Sequence, residues 1–340
     1  MRAALVTRPG TLTVAELEMP TPGPYDALCI LLYGATCTGT DLHIIDGGFP
    51  WANPLPTVPG HESAGRVLEI GSHVRHLAVG DLVTRVGAVP PEGAAWSATW
   101  GGFAEYGLAR DWKAMQEDGI PEAEWRPHRW NQVVPSDIDA RQAPMFTTWR
   151  ETLSYVQRMD VAPGQRVLIA GSGGNGLAFA RHCLLLGAHV CLMGSPNRFP
   201  AAEALGVRCC VDYHSESIDV PLNAFAPDGF DRIIDAVGKK SLCVQLLPHI
   251  RPGGLYGIYG IDDYGELTLD PALAPGPFTE HPCVYDEAET HDRVINWVRA
   301  GLLDARYWYD PDHPWPLERI EEAFDSLRRR EAPKALMQLA

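Results

Sequence analysis

Three glycines in one short segment have the spacing of a dinucleotide site. Gly171, Gly173 and Gly176 form the pattern G-x-G-x-x-G directly after an apolar run. The first permits a tight turn, the second lets the backbone approach a pyrophosphate, and the third lets a helix pack closely on a strand. The phosphates would accept hydrogen bonds from N–H groups at the helix N-terminus. We therefore predict that this turn binds a dinucleotide, with Gly174 and Asn175 also beside it.

The surroundings of the glycines follow the order that such a site requires. Arg166–Ala170 predicts a buried strand, the next apolar run predicts a helix from about Leu177 to Leu186, and Val190–Met193 predicts a second strand. The same glycines without this βαβ order would be an ordinary structural turn.

The residues after the second strand indicate which coenzyme binds. An NAD site usually has Asp or Glu there, which accepts a hydrogen bond from the ribose 2′-hydroxyl. This chain has Gly194, followed by Ser195, Asn197 and Arg198. A hydroxyl, an amide and a guanidinium suit a 2′-phosphate, which a carboxylate would repel. NADP(H) is therefore favoured and NAD is the alternative; if this stretch is only a turn, Arg198 is a solvated cation.

The order of strands and helices divides the chain into two domains. Up to about residue 145, short apolar runs alternate with Pro/Gly turns, which is typical of a small antiparallel barrel or sandwich. From 146 to 275, strands alternate with helices, which predicts a doubly wound parallel sheet. A last predicted strand, Lys334–Leu339, suggests that the chain returns to the first domain, with a ligand cleft between the two. The predicted class is α/β, with domains 1–145 plus 276–340, and 146–275.

Composition excludes several classes of function. The 340 residues have a formal charge of −15, which argues against a nucleic-acid or anionic-membrane partner. We find no apolar run of the length of a membrane span or a signal-peptide core, so we expect a cytoplasmic protein. Because the eight cysteines show no Cys-x-x-Cys spacing, we expect reduced, buried thiols.

Two stretches before the glycine-rich turn contain further chemically active residues. They are Cys37-Thr38-Gly39-Thr40-Asp41-Leu42-His43 and Val58-Pro59-Gly60-His61-Glu62. With that turn, and with Trp100–Tyr106, Phe230–Gly238 and Arg251–Gly254 in order, they resemble the medium-chain dehydrogenase/reductase family, in its zinc-type alcohol and polyol dehydrogenase branch. The resemblance covers essentially the whole chain. It implies a GroES-like catalytic domain, a Rossmann domain, and hydride transfer between a nicotinamide and an alcohol or carbonyl carbon.

The resemblance also implies a catalytic zinc ion, although the ligand pattern departs from that of the family. In this branch a Cys, the His of Gly-His-Glu and a later Cys or Glu hold zinc, which acts as a Lewis acid on the substrate oxygen. Here Thr38 aligns with the cysteine, and Cys37 would face the other side of a strand unless a bulge intervenes. Ala143 aligns with the later ligand. The candidate ligands are Cys37 or Thr38, His61, Glu62 and water, with help from Glu151.

Three more residues receive roles from the resemblance. Thr40 and His43 match a proton relay, in which a hydroxyl beside the substrate passes its proton through the ribose to a surface histidine. Asp41 is expected to orient His61. The alternatives are a structural His61 bonded to Asp41 and a merely exposed His43.

Strand ends in the second domain match the family loops beside the nicotinamide. These residues are Ala236, Val237, Gly238, Ile258 and Tyr259. Without a ligand they would be tight turns. Lys334 is expected at the cofactor phosphates or in solvent. The structural-zinc lobe of the family is expected to lack zinc, because no cysteine lies between Cys37 and Cys183.

The combined interpretation is an NADP(H)-preferring oxidoreductase that acts, with zinc, on a secondary alcohol or ketone of a polyol, cyclitol or sugar. The family implies a homodimer or homotetramer, and no nucleic-acid or membrane partner is expected. One alternative is a zinc-free quinone or enone reductase of the same fold, in which Thr38 and Ala143 mark a lost metal site. The other is a catalytically silent NADP(H)-binding protein.

Overall fold

A computed structural model describes all 340 residues, which form two compact units. The first unit consists of Met1–Arg150 and Glu287–Ala340, and the second of Glu151–Asp286. Both boundaries lie later in the chain than the predicted ones. The helix Met145–Arg158 runs across the first boundary, and the strand Thr279–His281 pairs with the sheet of the second unit.

Strands make up most of the regular secondary structure in the first 150 residues, as the alternation of apolar runs and Pro/Gly turns predicts. The strands are β1 (Arg2–Arg8), β2 (Thr11–Glu16), β3 (Asp26–Ala35), β4 (Thr57–Val58), β5 (Glu62–Ile70), β6 (Leu82–Thr84), β7 (Ser97–Ala98), β8 (Tyr106–Arg110) and β9 (Val133–Val134). The helices are α1 (Thr40–Asp46), α2 (Trp112–Glu117), α3 (Glu122–Trp125) and α4 (Met145–Arg158). The first three are not predicted from the sequence, because such short helices show no clear 3.6-residue pattern.

The second unit is a parallel sheet with connecting helices. Its strands are β10 (Arg166–Ala170), β11 (His189–Gly194), β12 (Cys209–Asp212), β13 (Phe230–Asp235), β14 (Ile250–Ile258) and β15 (Thr279–His281). Its helices are α5 (Gly174–Leu185), α6 (Phe199–Ala204), α7 (Asp219–Phe225) and α8 (Lys240–Leu246). All neighbours pair in parallel, in the order β12-β11-β10-β13-β14-β15. This order is that of a doubly wound nucleotide-binding fold, so the predicted fold class is confirmed.

The chain then returns to the first unit. The remaining elements are α9 (His291–Arg299), β16 (Trp315–Pro316), α10 (Ile320–Arg328) and β17 (Leu336–Gln338). β17 pairs antiparallel with β3, which places the C-terminal strand in the sheet β16-β17-β3-β5-β6-β9, with β8 also on β3. A second sheet of this unit has the order β2-β1-β4-β7. None of the helices combines the length and the apolar composition needed to cross a bilayer.

Candidate active site

Cys37 lies in the loop between β3 and α1. The strand ends at Ala35 and the helix begins at Thr40. The prediction that Cys37 and Thr38 face opposite sides of a strand is therefore wrong, because alternation holds only where the chain is extended. The carboxylate of Asp41, in the first turn of α1, accepts the N–H of Cys37 at 2.7 Å and holds the loop in place.

The structure distinguishes between the two candidate ligands in this loop. Cys37 is buried beside His61 and Glu62. The hydroxyl of Thr38 instead donates to the carbonyl of Pro333 at 3.4 Å. The thiol one residue earlier than the family position is thus the donor that the fold brings to the site.

Gly60 determines how His61 and Glu62 enter β5. Its φ is +99°, and a Cβ at this position would lie 2.7 Å from the ring of Phe103. Only glycine meets both conditions, because an L side chain disfavours this backbone conformation and would also overlap the ring. The turn at Gly60 leaves His61 and Glu62 buried at the start of the strand.

Cys37, His61 and Glu62 form one group of potential metal ligands. All three are buried, and their ligand atoms lie within 4.8 Å of one another. Sulfur, imidazole nitrogen and carboxylate oxygen are donors that zinc takes, and catalytic zinc keeps a fourth position for water or substrate. Asp41 Oδ1 lies 3.4 Å from His61 Nδ1, where a carboxylate orients a ligating ring. The residues present therefore fit a zinc ion.

The surroundings of His61 favour positive charge. Burial alone would lower the pKa of the imidazole, but the Asp41 carboxylate and the Cys37 sulfur outweigh burial and raise the pKa to about 10. A proton on the ring is therefore stabilised by its neighbours. Because metal ligands must be deprotonated, a zinc ion would displace this proton and balance the same negative groups.

Lys334 is the counter-ion of Glu62. Its side chain is 1% exposed, and its ammonium donates to both carboxylate oxygens at 2.6 Å. Thr148 also donates to Glu62 Oε1, at 2.8 Å. The expectation that Lys334 lies at the cofactor phosphates or in solvent is therefore wrong. Each carboxylate oxygen has two lone pairs, so Glu62 can accept these bonds and still offer an electron pair to a metal.

Thr40 and His43 both lie on α1, next to the loop that carries Cys37. Nδ1 of His43 lies 2.8 Å from the carbonyl oxygen of Gly39. Since a carbonyl only accepts, Nδ1 carries the proton in the neutral ring and Nε2 is the basic atom. The relay role of the pair stays a prediction.

A row of aromatic rings extends from His61. The Trp100 ring lies 5.1 Å from the imidazole and 5.5 Å from the ring of Phe49, which in turn lies 5.3 Å from Trp51. Trp100 has a φ of +67°, which is unusual for a bulky residue and keeps its ring beside the histidine only at a cost in backbone strain. Trp51 is 55% exposed. The residues are distant in sequence from His61, so no local pattern indicates the row.

A buried charge network lies in the same unit. Arg85 and Arg150 both pair with the carboxylate of Glu287, the latter at 2.6 Å. His291 donates through Nε2 to the carbonyl of Val133 at 2.9 Å, and Arg150 lies 3.5 Å from its Nδ1. Burial, followed by the charge of Arg150, lowers the pKa of His291 to about 3. The imidazole is therefore neutral in the folded protein at all moderate pH values.

We expect His291 to make the protein sensitive to acid. In the unfolded chain the imidazole takes up a proton near pH ~6.5. Between that pH and about 3 the unfolded state binds more protons than the folded state, so stability falls as the pH falls through this window. The His291→Gln variant should show a smaller decrease of Tm between pH 7 and pH ~4.5 than the wild type. The exposed His313→Gln serves as control, and an equally steep decrease in His291→Gln would contradict the expectation.

The glycine-rich turn of the second unit has the geometry that its sequence predicts. Gly171 has a φ of +109°, and a Cβ on Gly176 would overlap the carbonyl of Gly171. α5 begins at Gly174, three residues before the predicted start, so Asn175 lies in its first turn. Space is open where a Cβ of Gly173 would lie. These features support a phosphate at the start of α5.

The side chain of Ser172 fills the space that a carboxylate side chain at position 194, as in an NAD site, would need. A Cβ on Gly194 would overlap the side chain of Ser172, whose hydroxyl accepts the N–H of Ser195 at 2.9 Å. Arg198 is only 8% exposed, in the short 3₁₀ helix Pro196–Arg198, so it is not the solvated cation of the alternative interpretation.

The predicted nicotinamide loops lie at adjacent strand ends. Ala236, Val237 and Gly238 follow β13, and Ile258 ends β14. The hydroxyl of Tyr259 donates to the carboxylate of Glu151 at 2.9 Å. Glu151 is thus bonded within the second unit and is not one of the three grouped donors.

Comparisons with known proteins agree with this architecture. The model of the alcohol dehydrogenase GroES-like domain matches residues 25–121. A probable zinc-binding alcohol dehydrogenase of Mycobacterium tuberculosis is 29% identical over 319 residues, which cover 89% of this chain and 80% of that protein. Sorbitol dehydrogenase of Halalkalibacterium halodurans is 27% identical over 360 residues, which cover 99% of each chain. The structure of benzyl alcohol dehydrogenase from Acinetobacter calcoaceticus, 16% identical, has a TM-score of 0.83 over 100% of this chain and 99% of that chain, and so shares the fold.

Proposed function

Because this chain belongs to the medium-chain dehydrogenase/reductase family, in its zinc-type alcohol and polyol dehydrogenase branch, we propose that it is an NADP(H)-preferring, zinc-assisted polyol dehydrogenase. Its substrate would be a secondary alcohol of a polyol, cyclitol or sugar, or the matching ketone. The carrying observation is the buried group Cys37, His61 and Glu62, whose sulfur, nitrogen and oxygen donors lie close enough together to hold a zinc ion. We further propose a cytoplasmic homodimer or homotetramer.

The residues of the first unit have separate roles in the proposed reaction. Cys37, His61 and Glu62 would hold the zinc ion, and Asp41 would keep the His61 ring in its ligating orientation. When bound, zinc lowers the pKa of an alcohol and polarises a carbonyl. Thr40 would take the hydroxyl proton of the substrate, and Nε2 of His43 would receive it at the end of the relay.

The aromatic row supports a substrate with a flat apolar face. Trp100 lies beside His61, and the buried Phe49 packs between Trp100 and the exposed ring of Trp51. Aromatic rings bind such faces well, and the C–H face of a cyclitol or sugar ring is one. Within the proposed class, ring-shaped polyols are therefore favoured over open-chain ones.

A substrate panel tests the proposal directly. Purified protein is assayed for NADP⁺ and NAD⁺ reduction with cyclitols, sugars, open-chain polyols and simple primary alcohols. Oxidation of a ring polyol with NADP⁺ as the better coenzyme is the expected result. Turnover of quinones or enones alone would replace the proposal by a zinc-free reductase, and no turnover with retained NADPH binding would indicate a binding protein.

We expect coenzyme preference to depend on the pair Ser172 and Gly194. Gly194→Asp alone should weaken both coenzymes, because its Cβ overlaps the serine side chain. In the double variant Ser172→Gly/Gly194→Asp the carboxylate has room, repels a 2′-phosphate and accepts from a ribose hydroxyl. Its NADP⁺-to-NAD⁺ ratio of kcat/KM should fall by roughly 100-fold. Ser172→Gly alone is the control, and an unchanged ratio in the double variant would contradict the assignment.

A further inference from the structure

Asp235 is a fully buried carboxylate at the end of β13 that the proposed mechanism does not use. Its Oδ1 accepts the N–H groups of Val237 and Gly238, both at 2.8 Å. The thiol of Cys243 donates to Oδ2 at 3.6 Å. A carboxyl group is costly to bury unless it satisfies other polar groups, so these bonds are the reason for its place.

The backbone of Asp235 also holds a second loop. Its carbonyl oxygen accepts the N–H of Tyr259 at 2.8 Å and that of Gly260 at 3.0 Å. Gly238 has a φ of +79°, and a Cβ on it would overlap the carbonyl of Gly260. Asp235 is therefore hydrogen-bonded both to the loop after β13 and to the loop after β14, and it holds the two loops together.

The first of these loops also contacts the glycine-rich turn. The N–H of Ala236 donates to the carbonyl of Ala170 at 2.8 Å. A Cβ on Gly171 would lie 3.0 Å from Cγ2 of Val237. The position of Val237 beside the dinucleotide turn is thus set by the bonds that Asp235 accepts.

We propose that Asp235 is a positioning residue for the nicotinamide ring: by accepting the N–H groups of Val237 and Gly238 it fixes both loops in their binding conformation before the coenzyme arrives. This inference rests on the proposed function, since the loops flank a nicotinamide only if the chain binds that coenzyme. A loop that is already ordered loses little conformational entropy when the coenzyme binds. The carboxylate increases the affinity in this way.

Two variants of Asp235 and two ligands test the inference. Isothermal titration measures the Kd of NADPH and that of ADP-ribose 2′-phosphate, which lacks only the nicotinamide; for an NAD-binding wild type the pair is NADH and ADP-ribose. Asp235→Ala should weaken coenzyme binding by roughly 10- to 100-fold, because two buried N–H groups lose their acceptor. It should change binding of the shorter ligand by less than about threefold. Asp235→Asn should restore most of the affinity, since its amide oxygen can accept both N–H groups.

Asp231 provides a matched control on the same strand. Its carboxylate accepts the N–H of Arg166 at 2.7 Å and pairs with Arg251, near the opposite end of β13. Asp231→Ala should therefore affect stability without any selective effect on the coenzyme. Selective loss of coenzyme affinity in this control would overturn the inference, because the effect would then not be specific to the position of Asp235.

The remaining outcomes separate the inference from the proposed function. Equal weakening of both ligands by Asp235→Ala, or no weakening, would overturn the positioning role. If the wild type binds neither ligand, the proposed function itself is wrong. If Asp235→Ala does not fold, Gly260→Ala, which pushes the two loops apart, should give the same selective loss. Slow hydrogen exchange of the Val237 and Gly238 amides is expected in the ligand-free wild type, and fast exchange there would also overturn the role.

Discussion

The His61→Ala variant is expected to lose at least about 10³-fold in kcat/KM while its coenzyme affinity stays within about twofold of the wild type. The imidazole is the only nitrogen donor in the group with Cys37 and Glu62. Its removal leaves two donors, too few for a catalytic zinc site, which uses three protein ligands. The coenzyme would be bound by the glycine-rich turn of the second unit, which this substitution does not alter.

Steady-state kinetics and NADPH titration on the same preparation measure the two effects. The exposed His313→Ala is the control for removal of a histidine and should leave both unchanged. Retained turnover in His61→Ala would contradict a metal-centred mechanism. Loss of coenzyme binding together with turnover would show a general structural defect instead.

The second large effect concerns stability. We expect Lys334→Met to lower the free energy of unfolding by about 3–5 kcal/mol, because it leaves the buried Glu62 carboxylate without its counter-ion. Burial would lower the pKa of Lys334, but the charges of Glu62 and Cys37 outweigh it and raise the pKa, so the ammonium is present in the folded state. Thr148 then remains as a hydrogen-bond donor to Glu62, and His61 Nε2 lies 3.6 Å from Glu62 Oε1. A hydroxyl and a more distant imidazole replace only part of the stabilisation that the ammonium gives at 2.6 Å.

Urea denaturation of metal-free protein measures this difference. The double variant Lys334→Met/Glu62→Leu removes both charges and should recover most of the lost stability, since a buried pair is often replaceable by apolar residues. Arg319→Met breaks an exposed pair with Glu322 and should cause only a very small loss of stability. An equally small loss in Lys334→Met would contradict the expectation that the charge of Lys334 stabilises the buried Glu62.

The fold follows from sequence wherever the signal is local. The strand before Gly171, the glycine-rich turn and the next strand were predictable, because periodicity and glycine chemistry act within a few residues. The start of α5 was placed three residues late, since glycines are poor helix formers and hide a helix that begins at Gly174.

The candidate site was harder to predict because its decisive contacts are not local. Lys334 and Glu62 are 272 residues apart, and the lysine follows no pattern that indicates a buried partner. The predicted orientation of Cys37 is wrong because it requires a strand at a position where the chain has already left β3. The overlap between Ser172 and an acidic side chain at position 194 is apparent only in the folded structure. Asp235 stands in the segment Phe230–Gly238, which resembles the family, yet the two N–H groups that it accepts are recognisable only in the folded loop.

The metal content of protein purified without chelator, with polyol oxidation assayed on the same sample, tests the central claim most directly. Elemental mass spectrometry should find about one zinc per chain, and activity should be lost on chelation and return with added zinc. A chain without metal that still turns over its substrate at the same rate would contradict the zinc-assisted mechanism.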